Sequence, residues 1–111
     1  MAFGEFPALV DVDNHGQLTC KCGSTYLHQG NVTIFNRGED GDITTVIAQN
    51  GDEVQASKFP SADTCNPSPR RYGLIIEFDC ETCGLWGGER PGVLQQLAIF
   101  QHKGNTFMEW L

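Results

Sequence analysis

The sequence predicts a mainly β fold: a small antiparallel sheet, stapled by a CxC…CxxC metal site, with little helix. Three observations predict it. The cysteines arrive as two tight pairs, each followed by glycine: Cys20-Lys21-Cys22-Gly23 and Cys80-Glu81-Thr82-Cys83-Gly84. β-Branched and aromatic residues recur in short runs separated by glycine-, asparagine- and proline-rich breaks. No stretch sustains a helical period.

The cysteine pairs carry the metal argument. Zn²⁺ takes four ligands in a tetrahedron, and two cysteines one or two residues apart reach it from one tight turn. A glycine after each pair lets the turn bring its amide N–H groups toward the thiolates. Cys20, Cys22, Cys80 and Cys83 are therefore the expected ligands of a structural Zn²⁺ in a zinc-ribbon-like domain, with no coordination position left for chemistry. A thioredoxin-like use of the CxxC pair fits poorly, because Gly84, Gly87, Gly88, Pro91 and Gly92 follow where that chemistry needs a helix. An Fe–S cluster uses the same four thiolates, and a disulfide from Cys20 or Cys22 to Cys80 or Cys83 is a further alternative. Cys65 stands alone and is expected to be a partly buried small side chain. His15, His28 and His102 lack paired spacing with either knuckle.

Element by element, residues 1–17 read as an irregular lead-in. Asp11 to Gly16 has the outline of a calcium loop, but its twelfth place is Cys22 where a glutamate is needed. Strands are expected at Thr25–Gln29 and Val32–Asn36, broken by Gly30-Asn31. A strand pair follows at Ile43–Gln49 and Glu53–Lys58, joined at Asn50-Gly51, with Val54, Ala56 and Lys58 suggesting a half-exposed edge. Residues 59–71 hold three prolines and form the longest aperiodic stretch, a loop. Tyr72–Asp79 is the strongest strand and runs straight into Cys80. A glycine-rich loop over 84–92 carries Trp86, and Leu94–His102 and Thr106–Leu111 close the chain as a hairpin turning at Lys103-Gly104-Asn105.

Length and charge bound the function. The 111 residues make one domain of 12.2 kDa, and a mean hydropathy of −0.28 with no long apolar run excludes a membrane span. The start lacks the basic and apolar regions of a signal peptide, so a cytoplasmic protein is expected. The net charge is −7, and four thiolates on one Zn²⁺ add about −2 more. Such a field repels phosphate backbones and counts against nucleic-acid binding. Paired carboxylates, an activated nucleophile and a phosphate-cradling loop are all missing from the sequence, so no enzyme is expected.

Four stretches carry a resemblance: Cys20–Gln29, Val32–Asp40, Asn66–Cys83 and Gln101–Thr106. Together they resemble small uncharacterised proteins with a zinc-ribbon-like cysteine pattern encoded by bacteriophages, prophages and some bacteria. The resemblance covers most of residues 20–110 and brings no established activity. It implies a phage or prophage setting, hence work in a bacterial cytoplasm or on a virion.

The expected role is a non-enzymatic accessory protein whose zinc-held scaffold presents the 59–71 loop and Trp86 to a host or phage protein. Arg70, Arg71, His102 and Lys103 are the other candidate partner-binding residues, as a basic patch if strand 72–79 and the last hairpin are neighbours. The bland alternative pairs both arginines with nearby carboxylates. The alternative function is a nucleic-acid-binding ribbon using the same cations with Lys21.

Overall fold

A computed structural model describes residues 10–11, 17–81 and 95–111. Among these the chain is a six-stranded sheet with a two-stranded ladder near the N-terminus. The short ladder pairs β1 (Val10–Asp11) with β2 (Gln17–Leu18), so Val10, Asp11 and Gln17 are strand residues where an irregular lead-in was expected. The large sheet holds β3 (Leu27–Asn36), β4 (Ile43–Asn50), β5 (Glu53–Pro60), β6 (Gly73–Cys80), β7 (Gln95–His102) and β8 (Asn105–Trp110). Its order is β5-β4-β3-β6-β7-β8, and every neighbouring pair is antiparallel.

Local chemistry accounts for most of the strand ends. The β7–β8 hairpin turns on Lys103 and Gly104, with φ of 50° and 80°, the double positive φ of a type I′ turn. The β4–β5 hairpin turns one residue later than expected, on Gly51-Asp52, because Asn50 still pairs with Glu53. Gly51 has φ of 61° while Asp52 is not in the positive region, so the glycine sits where a type II′ turn needs it.

Gly30-Asn31 does not break a strand. It forms a β-bulge within β3: Gln29 pairs with Phe78 and Val32 with Ile76, so β3 spends one residue more than β6 across that interval. Asn31 reaches the β4–β5 hairpin, accepting from Gly51 N at 3.2 Å and donating to Asn50 Oδ1 at 3.3 Å.

Register sets the core. On one face Val46, Phe35, Gly73, Phe100 and Phe107 lie in a row across five strands, with Ile75 and Ala98 in the next row. Phe35, Ile75, Ala98 and Phe100 are buried, and Phe100 stacks at a tilt on Phe107 with centroids 5.9 Å apart. The opposite face carries Ile47, Ile34, Leu74, Ile99 and Met108 in register, mostly half-buried, then Leu97 and Trp110. In β6 the buried positions are thus Gly73, Ile75 and Cys80, while Leu74, Ile76 and Phe78 are half-buried. β5 is exposed along its whole length, as an edge strand whose Lys58 and Pro60 discourage further pairing.

Residues 61–72 fold over the buried row. A 3-10 turn at Ser61–Asp63 is followed by a segment with its own hydrogen bonds. Ser68 is 2% exposed, and its hydroxyl donates to Gln101 O at 2.6 Å while accepting from Arg71 N at 2.9 Å. Asn66 takes Ser68 N at 3.0 Å and gives to Arg71 O at 2.9 Å. Gly73 is glycine because this loop lies on it: an added Cβ would overlap Asn66 Oδ1 and sit 2.9 Å from Pro67 Cγ. No helix among the described residues is long and apolar enough to cross a membrane.

Candidate metal centre

Two elements far apart in sequence bring three cysteines together. Cys80 ends β6, opposite Leu27 at the start of β3, and is fully buried. Cys20 and Cys22 belong to a knuckle closed by Gly23 N donating to Cys20 O at 2.9 Å and Cys20 N donating to Ser24 O at 2.9 Å. Gly23 has φ of 93°, a conformation closed to most side chains and the reason glycine follows this pair.

The knuckle is tied to the last strand. Trp110 Nε1 donates to Thr19 O at 3.0 Å, Lys21 Nζ donates to Leu111 O at 2.8 Å, and Trp110 meets Phe78 edge to face with centroids 5.8 Å apart. The start of β3, the end of β6 and the end of β8 therefore all meet at the cysteine knuckle.

The Sγ atoms of Cys20, Cys22 and Cys80 all lie within 4.8 Å of one another, with Cys22 and Cys80 at 3.6 Å. Four sulfurs around an ion at the usual Zn–S distance of about 2.3 Å stand about 3.8 Å apart. That spacing is too long for a disulfide and close to the edge of a thiolate tetrahedron. None of the three is joined in a disulfide among the described residues; Cys20 and Cys80 are buried and Cys22 is exposed. The cluster can hold a metal ion. Cys83, the expected fourth ligand, lies outside the described residues, as do residues 12–16 with His15, and Trp86.

Other candidate ligands fall elsewhere. His28 sits beside the site but pairs with Glu81, Nε2 to Oε1 at 3.3 Å. His102 is at the far end of the sheet, because β7 runs antiparallel to β6. The length of β6 puts roughly 23 Å between the two ends. Cys65 lies in the loop at that far end; it is exposed rather than partly buried.

The expected basic patch divides. β6 and β7 are neighbours, which meets its structural condition. Arg70, however, is taken within the chain: Nε and Nη2 contact the two carboxylate oxygens of Asp40 at 2.9 and 2.6 Å, with Glu39 at 3.6 Å. The Arg70 hydrogen bond, aided by the charges of Arg70 and Arg37 and opposed by some desolvation, holds the Asp40 carboxyl below its ordinary range. The same pairing raises the Arg70 guanidinium. Asp40 has φ of 53° and also donates its N–H to Arg70 O at 2.9 Å, so the turn is shaped around this arginine. Arg71, half-buried, makes no such pair. Lys103 is exposed at its turn.

Sequence reasoning passed over Arg37. It donates through Nε to Gly41 O at 2.7 Å and through Nη1 to Pro69 O at 3.1 Å, stitching the 37–42 turn to the long loop. Those segments enclose a hollow of about 430 Å³ lined by Arg37, Asp42, Ser61, Thr64 and Asn66 among others. The signal available was a charged, glycine-flanked arginine directly after a strand, which also describes an ordinary surface turn.

The sheet and its thiol cluster define a class, a mainly β protein with a candidate metal centre at one end. Comparison with protein-family models, with curated proteins and with solved structures found no match.

Proposed function

We propose that this chain is a zinc-stapled β scaffold that acts by binding a macromolecular partner, a protein of a bacterial host, and carries out no reaction itself. The observation that carries the reading is the triad of sulfurs within 4.8 Å of one another, contributed by segments 58 residues apart at Cys22 and Cys80. Cys83 would supply the fourth thiolate, giving a closed site with structural zinc.

Joining Cys20 to Cys80 through one ion closes most of the sheet into a loop, which by the cross-link relation is worth about 4 kcal/mol of chain entropy. The scaffold then holds the far end, where the 61–72 loop, shorter than the expected 59–71 because Phe59 and Pro60 still pair in β5, is braced by side-chain hydrogen bonds and is fit to present a fixed surface. The resemblance to phage and prophage proteins supports a place in the bacterial cytoplasm, where thiols stay reduced.

The net charge of −7 and the capture of Arg70 by Asp40 both count against the nucleic-acid reading. The test is affinity capture from bacterial lysate with metal-loaded protein and with Cys80→Ser. A specific host protein held by the first and lost with the second supports the reading. Salt-sensitive retention of nucleic acid, or no difference between the two, refutes it.

A further inference from the structure

We propose that Arg71 is an oxyanion site, its guanidinium placed to take two oxygens of a phosphate or carboxylate group at the loop end of the sheet. The inference does not depend on the metal centre and stands apart from the reading above.

The first ground is an unspent cation. Arg70 faces Asp40 and Glu39, and Arg37 is engaged by two backbone carbonyls. Arg71 has no carboxylate at ion-pair distance among the described residues, and its Nε is buried with no hydrogen-bond partner. Because Nε itself is buried, an oxyanion arriving from solvent would be met by the Nη1 and Nη2 donors, which make no hydrogen bond among the described residues. Those two N–H groups can be offered in parallel to two oxygens of one group.

The second ground is rigidity. Arg71 is pinned on both sides of its α-carbon: its N–H donates to Ser68 Oγ at 2.9 Å and its carbonyl accepts from Asn66 Nδ2 at 2.9 Å. Ser68 is itself buried and anchored to Gln101 O at 2.6 Å. A side chain rising from so fixed a base loses less freedom on binding than one on a mobile loop.

The third ground is the local balance of charge. Through Ser68, Arg71 is linked to Gln101, next to His102 and the exposed Lys103 turn. The nearest acidic pair in the loop region, Glu39 and Asp40, is already taken by Arg70. On a chain of net charge −7, this end gathers Arg37, Arg70, Arg71 and Lys103 against Glu39, Asp40, Asp42 and Asp63, so it is locally far less acidic than the chain as a whole.

The site is tested by following arginine Nε–H signals by NMR in the full, metal-loaded chain, titrated with sodium phosphate or sodium acetate at constant ionic strength. Burial slows exchange of the Arg71 Nε proton, so its signal is observable, and its absence in R71K assigns it. The expected result is a saturable shift of that signal. Amide shifts around Ser68 and Gln101 should report affinity at least about tenfold weaker in R71K and R71Q, the loss of one charged hydrogen bond. K103N should weaken binding about twofold to fivefold through its charge alone, and R70Q should leave it.

Phosphate alone shifting the signal assigns a phosphorylated ligand, acetate alone a carboxylate, and both a site that reads only paired oxygens; each supports the proposal. No saturable shift of the wild-type signal with either anion overturns it, and so does binding that R71K retains in full.

Discussion

Gly73→Ala tests whether the long loop is part of the fold or only lies beside it. The added methyl would overlap Asn66 Oδ1 and stand 2.9 and 3.0 Å from Pro67 Cγ and Cδ. Forcing a methyl into a packed contact costs about 1–3 kcal/mol. Moving Asn66 aside also endangers its bonds to Ser68 N and Arg71 O, each worth about 0.5–1.5 kcal/mol. With both bonds lost the expected loss is therefore about 2–6 kcal/mol, measured by urea unfolding with an unchanged slope.

Asn66→Ala separates the two contributions. It removes both hydrogen bonds and the nearest clashing atom, leaving Pro67 Cγ 2.9 Å from the new Cβ, so the double variant should lose less than the sum of the two single losses. A Gly73→Ala loss below about 0.5 kcal/mol, or full additivity in the double variant, would refute the packing of the loop on Gly73.

Three further outcomes are expected. Asp40 is held below its ordinary carboxyl range by Arg70, so this pair adds stability above the unfolded-state value and loses it as pH falls through the lower folded one. In Arg70→Gln the Asp40 midpoint, followed by carboxyl NMR, should rise toward the ordinary value; an unmoved midpoint contradicts the pairing. Lys103→Asn should stabilise the protein by about 0.5–1 kcal/mol in thermal unfolding, since asparagine tolerates the positive φ of 50° at a type I′ position better than lysine does. Trp110→Phe keeps the ring contact with Phe78 but leaves Thr19 O without its donor, and should cost about 1–2 kcal/mol while increasing the rate of metal loss to a chelator.

What the sequence made legible was local. Runs of β-branched and aromatic residues located β4 and β6, and Lys103-Gly104 and the 50–52 region announced their hairpins because turn residues act on their own backbone. The cysteine pairs announced a metal site because ligand spacing is also a local property, and the structure brings Cys20, Cys22 and Cys80 together as that spacing implies.

What it hid was set by distant partners. Gly30-Asn31 looks like a strand break, yet β6 continues past it and the sheet absorbs the extra residue as a bulge. Gly73 looks like a weak point in a strand until Asn66 and Pro67 are seen lying on it. Arg70 and Arg71 are adjacent and chemically identical, and only the turn carrying Asp40 separates a neutralised cation from an unspent one. Nor does a proline-rich stretch show in its sequence that Ser68 is buried under it.

Metal content with its ligand shell tests the central claim most directly. Protein purified without added metal should contain about one zinc per chain, and X-ray absorption at the zinc edge should show a sulfur shell near 2.3 Å. A stoichiometry far below one, or a shell of oxygen and nitrogen without sulfur, would contradict the account, because Cys20, Cys22 and Cys80 would then be gathered for some other reason.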